Sequence, residues 1–109
     1  MTFSVLEKLI KTIGERKTAH ADNSYTASLL ANSPERPIQK FSEEVTELLI
    51  DIMNGDNNRA TKEAADVLFH YLVVLAAADI SFLDVLSELE RREGISGHTE
   101  KQNRNLNSN

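Results

Sequence analysis

Hydrophobic residues recur three and four positions apart along most of this chain, which is the spacing of one face of an α-helix. Alternation with a period of two, the pattern of a half-buried strand, is absent, and glycine and proline are scarce. The pattern predicts helices over about residues 2–17, 37–53, 57–78 and 81–92. Residues 18–36 are predicted as a loop with room for one helical turn, capped by Ser24. The chain is therefore predicted to be all-α, with four to five helices in a bundle.

The ends of the predicted helices carry residues that commonly start or stop a helix. Pro37 suits a first helical position, and Gly55 suits the left-handed position after a helix C-terminus. Asp56 or Asn57 can cap the next helix, so we expect the second and third helices to form an antiparallel hairpin. Residues 72–78 are apolar on all sides, which predicts burial at a subunit interface and a core completed by oligomerisation.

Length and composition indicate one globular domain. The chain has 109 residues, of which 40% are hydrophobic and 27% are charged. We expect a helical domain over residues 1–93, followed by a polar and mobile tail over residues 94–109. Because so small a domain buries little surface alone, a homodimer or homotetramer is expected.

Charge and residue types exclude several classes of function. The net charge of −5 argues against binding to nucleic acid or to an anionic membrane surface. The lack of cysteine excludes disulfides, thiolate chemistry and cysteine-ligated zinc. The most apolar run, residues 67–78, is too short to span a bilayer, and the N-terminus lacks the order of a secretory signal. These features predict a cytoplasmic protein.

Two pairs of acidic residues with the same spacing flank the predicted turn. Glu44 and Glu47 precede Gly55, and Glu63 and Asp66 follow it. Residues three apart share a helix face, so an antiparallel hairpin can bring all four carboxylates to one patch. Such carboxylates repel one another without a cation, whereas all-oxygen ligand sets suit Mg²⁺ or Mn²⁺. The alternative is a solvated helix flank, since glutamate is common on helix surfaces.

The residues around these pairs resemble a known family. The pairs at positions 44–47 and 63–66 match the E-x-x-E and E-x-x-D motifs of the MazG-like nucleotide pyrophosphohydrolases. The segments SYTASLL, EAADVLFHYLVVL and SELERREGISG are similar to those of one family in that superfamily, the phosphoribosyl-ATP pyrophosphatases. Lys40 matches the family's lysine ahead of the double glutamate, and Ser42 departs from its usual glycine. The resemblance covers most of the chain.

This resemblance implies a MazG-like all-α fold and a specific reaction. The reaction is hydrolysis of phosphoribosyl-ATP to phosphoribosyl-AMP and pyrophosphate, the second step of histidine biosynthesis, with Mg²⁺ and an activated water. The implied metal ligands are Glu44, Glu47, Glu63 and Asp66. The implied catalytic residues are Glu43, Glu44 and Glu47, with Glu43 acting as an outer ligand or orienting the water.

The resemblance also implies a set of substrate-binding residues, each of which has a structural alternative. They are Lys40, Ser24, Tyr25, Thr26, Arg16 and Lys17. Lys40 can contact a phosphate or form an i, i+4 salt bridge with Glu44. Arg16 and Lys17 can contact phosphate or simply place positive charge at a helix C-terminus. The segment 24–26 can bind the ribose or base, or only cap and pack its loop.

Two further residues lie near the acids along the chain. His70 follows Asp66 by one turn and is interpreted as a packed histidine rather than a neighbour of the metal. Asp51 falls on the acidic flank of the second helix, where a surface role is expected.

Two other functions compete with this interpretation. A MazG-like enzyme that acts on ordinary or damaged nucleoside triphosphates would use the same four acids, and SYTASLL and the tail argue against it. A helical interaction module without enzymatic activity would show no response to divalent metal.

Overall fold

The protein is represented by a computed structural model in which residues 3–17, 24–94 and 104 are described. This part of the chain contains α-helices and no strands, which confirms the all-α prediction. The helices are α1 (Ser4–Arg16), α2 (Tyr25–Ala31), α3 (Glu35–Met53), α4 (Asn57–Ala77) and α5 (Phe82–Arg91). None of the described helices has the length and hydrophobicity that a membrane span requires.

The segment predicted as a loop contains the seven-residue helix α2. The expected cap is present, because the Ser24 hydroxyl oxygen accepts a hydrogen bond from the Ala27 N–H at 3.2 Å. Ala27 and Leu29 are buried, so α2 is a packed element and more than a single turn. Its length escaped prediction because seven residues are too few to display a helical hydrophobic period.

Helix α3 begins two residues earlier than predicted, at Glu35 rather than Pro37. Pro37 is the third helical residue, a position whose N–H would have no partner within the helix anyway. The residue before a proline usually avoids helical geometry. Arg36 nevertheless adopts it, and its N–H donates to the Asn32 carbonyl at 3.1 Å, which joins the start of α3 to the end of α2.

The turn between α3 and α4 has the geometry expected from its residues. Gly55 adopts a φ of 74°, which side chains disfavour. The Gly55 N–H donates to the Ile52 carbonyl and the Asp56 N–H to the Asp51 carbonyl, which closes α3 with a Schellman motif. The Asp56 carboxylate accepts from the Arg59 N–H at 3.1 Å and caps α4. These contacts reverse the chain and set the two helices side by side.

The hydrophobic core lies between the second half of α4 and the helices α1 and α2. Its buried members are Ile13, Leu29, Leu72 and Val73. The expectation that residues 72–78 form a subunit interface is therefore wrong for Leu72 and Val73, which α1 and α2 cover within one chain. Their all-round hydrophobicity reflects this intrachain packing.

Helix α5 lies at the end of the continuously described chain. Helix α5 has no buried residue, although Phe82 at its start packs partly against the core. Ser81 caps it by accepting a hydrogen bond from the Leu83 N–H at 3.2 Å. The predicted mobile tail over 94–109 lies outside the described residues apart from Gly94 and Arg104, so that prediction remains one.

Candidate metal centre

Three of the four paired acids meet at the interface of α3 and α4. Glu44 of α3 and Glu63 and Asp66 of α4 each present a carboxylate oxygen within 4.8 Å of the others. The antiparallel hairpin produces this meeting, because its short turn places the middle of α3 beside the first half of α4. We call Glu44, Glu63 and Asp66 the acid cluster.

The acid cluster has the chemistry that a divalent cation requires. Glu44 and Glu63 are partly buried, and Asp66 is exposed, so the group is open on one side. The Glu63 Oε2 atom is buried and accepts no hydrogen bond from the described residues. A buried carboxylate oxygen without a partner is costly, and a metal ion is one of the few groups that can compensate it. The residues present therefore fit an oxygen-ligated ion such as Mg²⁺ or Mn²⁺.

The close approach of these acids shifts their protonation in opposite directions. Hydrogen bonding with Glu44, together with burial and the neighbouring Glu47 carboxylate, raises the pKa of Glu63 to about 7. The hydrogen bond from Glu63 and the positive charge of Lys40 lower the pKa of Glu44. Below neutral pH the pair therefore shares one proton, and a bound cation would displace it.

The other acids of α3 differ from the acid cluster in position. Glu47 lies close enough to Glu63 to influence its pKa, but it is outside the group of three and exposed. Asp51 is only 7% exposed, so the expected surface role is wrong. Its Oδ1 lies 3.8 Å from the Arg59 Nε, and its Oδ2 accepts no hydrogen bond from the described residues. The packing of α4 against α3 therefore buries more of the acidic flank of α3 than the hydrophobic spacing predicts.

Lys40 bridges the acid cluster and the remaining predicted catalytic acid. Its Nζ lies 3.5 Å from Glu44 Oε1 and 3.3 Å from Glu43 Oε2. The hydrogen bond to Glu43, reinforced by the nearby Tyr25 and the two carboxylates, raises the pKa of Lys40. Glu43 also accepts from Gln39 Nε2 at 3.1 Å, and it points along the helix surface beside the cluster. Lys40 thus forms the salt bridge with Glu44 that was the structural alternative. Its contact with a substrate phosphate stays a prediction.

The start of α2 reaches the edge of the same site. The Tyr25 hydroxyl oxygen lies 3.2 Å from His70 Nε2, and His70 Nδ1 lies 2.8 Å from the backbone carbonyl oxygen of Asp66. His70 is 5% exposed, as expected for a packed histidine, yet it links α2 to a residue of the acid cluster. Sequence reasoning gave His70 too little weight, although its position four residues after Asp66 was the available signal. The Ser24 side chain is used as a cap, and Thr26 is partly buried.

The comparisons with known proteins agree with this geometry. A family model described as phosphoribosyl-ATP pyrophosphohydrolase matches residues 6–93. The chain belongs to this family. It is 54% identical over 101 residues to the phosphoribosyl-ATP pyrophosphatase of Dinoroseobacter shibae, covering 93% of this chain and 99% of that protein. The protein of the same name from Cereibacter sphaeroides is 52% identical over 93% of this chain and 98% of its own length. One from Roseobacter denitrificans is 52% identical over 91% and 94%.

Membership of the phosphoribosyl-ATP pyrophosphohydrolase family confirms the resemblance predicted from the motifs. The family belongs to the MazG-like all-α superfamily. The matched residues 6–93 include both acid pairs and span helices α1 to α5.

Two of the predicted substrate-binding residues lie far from the acid cluster. Lys17 forms a salt bridge with Asp79, which follows the C-terminus of α4. The cluster lies in the first half of α4, and a rise of 1.5 Å per residue puts Asp79 roughly 20 Å from Asp66. Arg16, in the last turn of α1, is next to Lys17 and exposed. Within one chain Lys17 is therefore remote from the acid cluster, and its contact with a substrate phosphate stays a prediction.

Proposed function

We propose that this chain hydrolyses phosphoribosyl-ATP to phosphoribosyl-AMP and pyrophosphate, the second step of histidine biosynthesis. The observation that carries the proposal is the convergence of Glu44, Glu63 and Asp66 within a chain that belongs to the phosphoribosyl-ATP pyrophosphohydrolase family. Relatives of about this length that are named phosphoribosyl-ATP pyrophosphatase support the same substrate.

The acid cluster holds Mg²⁺ in this proposal, with Mn²⁺ as a possible substitute. Glu44, Glu63 and Asp66 are its ligands, and Glu47 beside Glu63 is the fourth. When bound, the ion supplies charge neutralisation on the polyphosphate and lowers the pKa of a coordinated water. The buried Oε2 of Glu63, which accepts no hydrogen bond from the described residues, and the raised pKa of its carboxyl group both support this assignment.

The residues around the cluster position the substrate. Lys40 lies between Glu43 and Glu44 and can turn its ammonium group toward a phosphate, because among the described residues its ion pairs are with these two carboxylates. Glu43 precedes Glu44 on α3 and lies outside the cluster. It can orient the attacking water once Lys40 leaves it to bind the phosphate. The nucleoside would lie beside the start of α2. The residues there are Ser24, Tyr25 and Thr26.

Oligomer formation remains part of the proposal. Large apolar side chains are exposed on two helices, and a second subunit could cover them: Leu49, Ile50, Ile52 and Met53 on α3, and Leu83, Leu86 and Leu89 on α5. A homodimer or homotetramer would also allow Arg16 and Lys17 of one chain to approach the acid cluster of another. A cytoplasmic location is the expectation for an enzyme of this pathway.

A substrate comparison tests the proposal. We expect Mg²⁺-dependent release of pyrophosphate from phosphoribosyl-ATP, with kcat/KM well above that for deoxynucleoside triphosphates. Complementation of a histidine auxotroph that lacks this step is expected for the wild type and not for Glu47→Gln. A preference for deoxynucleoside triphosphates would instead assign a house-cleaning MazG-like activity. Absence of hydrolysis and of any Mg²⁺ effect on the melting temperature would indicate a non-enzymatic helical module.

A further inference from the structure

A chain of two hydrogen bonds connects α2 to the acid-bearing half of α4. The Tyr25 hydroxyl lies 3.2 Å from His70 Nε2, and His70 Nδ1 lies 2.8 Å from the Asp66 carbonyl oxygen. The His70 ring is held from its sides as well, because Phe69 meets it edge-on at a centroid distance of 5.0 Å. This ring is therefore fixed in position and orientation.

The Asp66 carbonyl sets the direction of both hydrogen bonds. A carbonyl oxygen can only accept, so Nδ1 of His70 must carry the hydrogen. In the neutral imidazole the lone pair then lies on Nε2. With the His70 ring neutral, the Tyr25 hydroxyl donates to Nε2, and its single hydrogen is used in that bond.

The Tyr25 oxygen can then form further hydrogen bonds only as an acceptor. Tyr25 as a whole is 52% exposed, so the residue lies at the surface of the described chain. A phosphate oxygen also only accepts, so it would repel the Tyr25 oxygen rather than bind it.

We propose that His70 is a positioning residue that makes the Tyr25 oxygen an obligate hydrogen-bond acceptor, which binds a hydroxyl or amino group of the nucleotide and not its phosphates. This rests on the proposed function, since it takes the acid cluster as the place where the phosphates bind. His70 lies one helical turn, roughly 6 Å, beyond Asp66. Tyr25 would therefore orient the nucleotide, with its sugar or base beside α2 and its phosphates over the cluster.

The state of the His70 ring tests the direction of the hydrogen bonds without any substrate. Nitrogen NMR spectra of the labelled protein are recorded well above the ordinary histidine pKa of about 6.5, and a His70→Gln variant assigns the ring signals. We expect a protonated Nδ1 and an unprotonated Nε2 that accepts a hydrogen bond, and Tyr25→Phe should move the Nε2 signal toward that of a free acceptor. A ring protonated at Nε2, alone or together with Nδ1, would overturn the proposal.

Steady-state kinetics test the consequence for the nucleotide. Tyr25→Phe should raise KM for phosphoribosyl-ATP about three- to tenfold, the loss expected for one hydrogen bond, while kcat changes little. Tyr71→Phe is the matched control, because it removes a hydroxyl from a tyrosine of α4 that packs between Phe41 and Phe82. His70→Gln combined with Tyr25→Phe should raise KM no further than the larger single effect.

The two experiments separate this inference from the proposed function. An unchanged KM in Tyr25→Phe would overturn the acceptor role even if the NMR result is as expected. A wild-type protein that does not hydrolyse phosphoribosyl-ATP would overturn the proposed function, and with it the nucleotide contact. The NMR spectra would then still decide the direction of the hydrogen bonds.

Discussion

The two halves of α4 have opposite tasks. The first half, residues 57–66, carries Glu63 and Asp66 against α3 and buries only Ala60. The second half, residues 67–77, buries His70, Leu72 and Val73 against α1 and α2. One continuous helix thus joins a charged, partly open site to the hydrophobic core of the chain.

This division explains how the protein tolerates its acid cluster. Carboxylates in close contact destabilise the fold unless a proton or a cation stands between them. The free energy that offsets this cost comes from the burial of apolar side chains in the other half of the same helix. Substitutions in the first half are therefore expected to change activity, and those in the second half to change stability.

The largest effect is expected at the acid cluster. Glu63→Gln should lower kcat/KM for phosphoribosyl-ATP by roughly 100-fold or more, because the metal loses a charged ligand and with it several kcal/mol of transition-state stabilisation. The free energy of unfolding without metal should be unchanged or higher, since one of the repelling carboxylates is gone. Pyrophosphate release and urea denaturation measure the two quantities. Glu35→Gln, the same change in the first turn of α3, should leave both nearly unchanged, and equal activities of the two variants would refute the division.

A large effect on stability is expected in the second half of α4. Leu72→Ala should lower the free energy of unfolding by about 2–5 kcal/mol, because it opens a cavity among Ile13, Leu29 and Val73. Val5→Ala, at a side chain that is 72% exposed on α1, should cost about 0.5 kcal/mol or less. Urea denaturation of both variants in the presence of metal measures the difference. Similar losses in the two would show that the core lies elsewhere.

The smallest expected effect is a dependence of stability on pH in the metal-free protein. The pKa of Glu63 is raised in the folded state, to about 7 from an ordinary 4.5, so the folded protein binds more protons between these values. Its contribution is fully present below about pH 4.5 and is lost as the pH rises toward 7. In thermal denaturation, the melting temperature of the metal-free wild type should fall as the pH rises across this range. Glu63→Gln should abolish this part of the pH dependence. Saturating Mg²⁺ should make stability rise with pH instead, since the ion binds the ionised carboxylates. Identical pH profiles of stability in the metal-free wild type and Glu63→Gln would argue against a raised pKa of Glu63.

The hairpin and its acids could be predicted because their determinants are local. Hydrophobic spacing defines α3 and α4, Gly55 marks the left-handed turn between them, and the i, i+3 acid pairs lie at equal distances from it. A single turn of known geometry then fixes which residues face each other. The family motifs added the substrate, which the acids alone do not specify.

The contacts that escaped prediction join residues distant in the sequence. Tyr25 meets His70 across 45 positions, and Lys17 meets Asp79 across 62. No periodicity within one helix indicates which residue of another helix it will touch. Asp51 was misplaced for a related reason, because the width of the buried flank on α3 depends on how closely α4 packs against it.

Binding of Mn²⁺ tests the central claim, that the carboxylates of α3 and α4 form a divalent metal site. Electron paramagnetic resonance reports the free ion as the protein is titrated with Mn²⁺. We predict saturable binding to the wild type and to Glu35→Gln, competition by Mg²⁺, and binding at least about tenfold weaker to Glu63→Gln. Equal binding to the wild type and to Glu63→Gln, or no saturable binding to either, would contradict the claim.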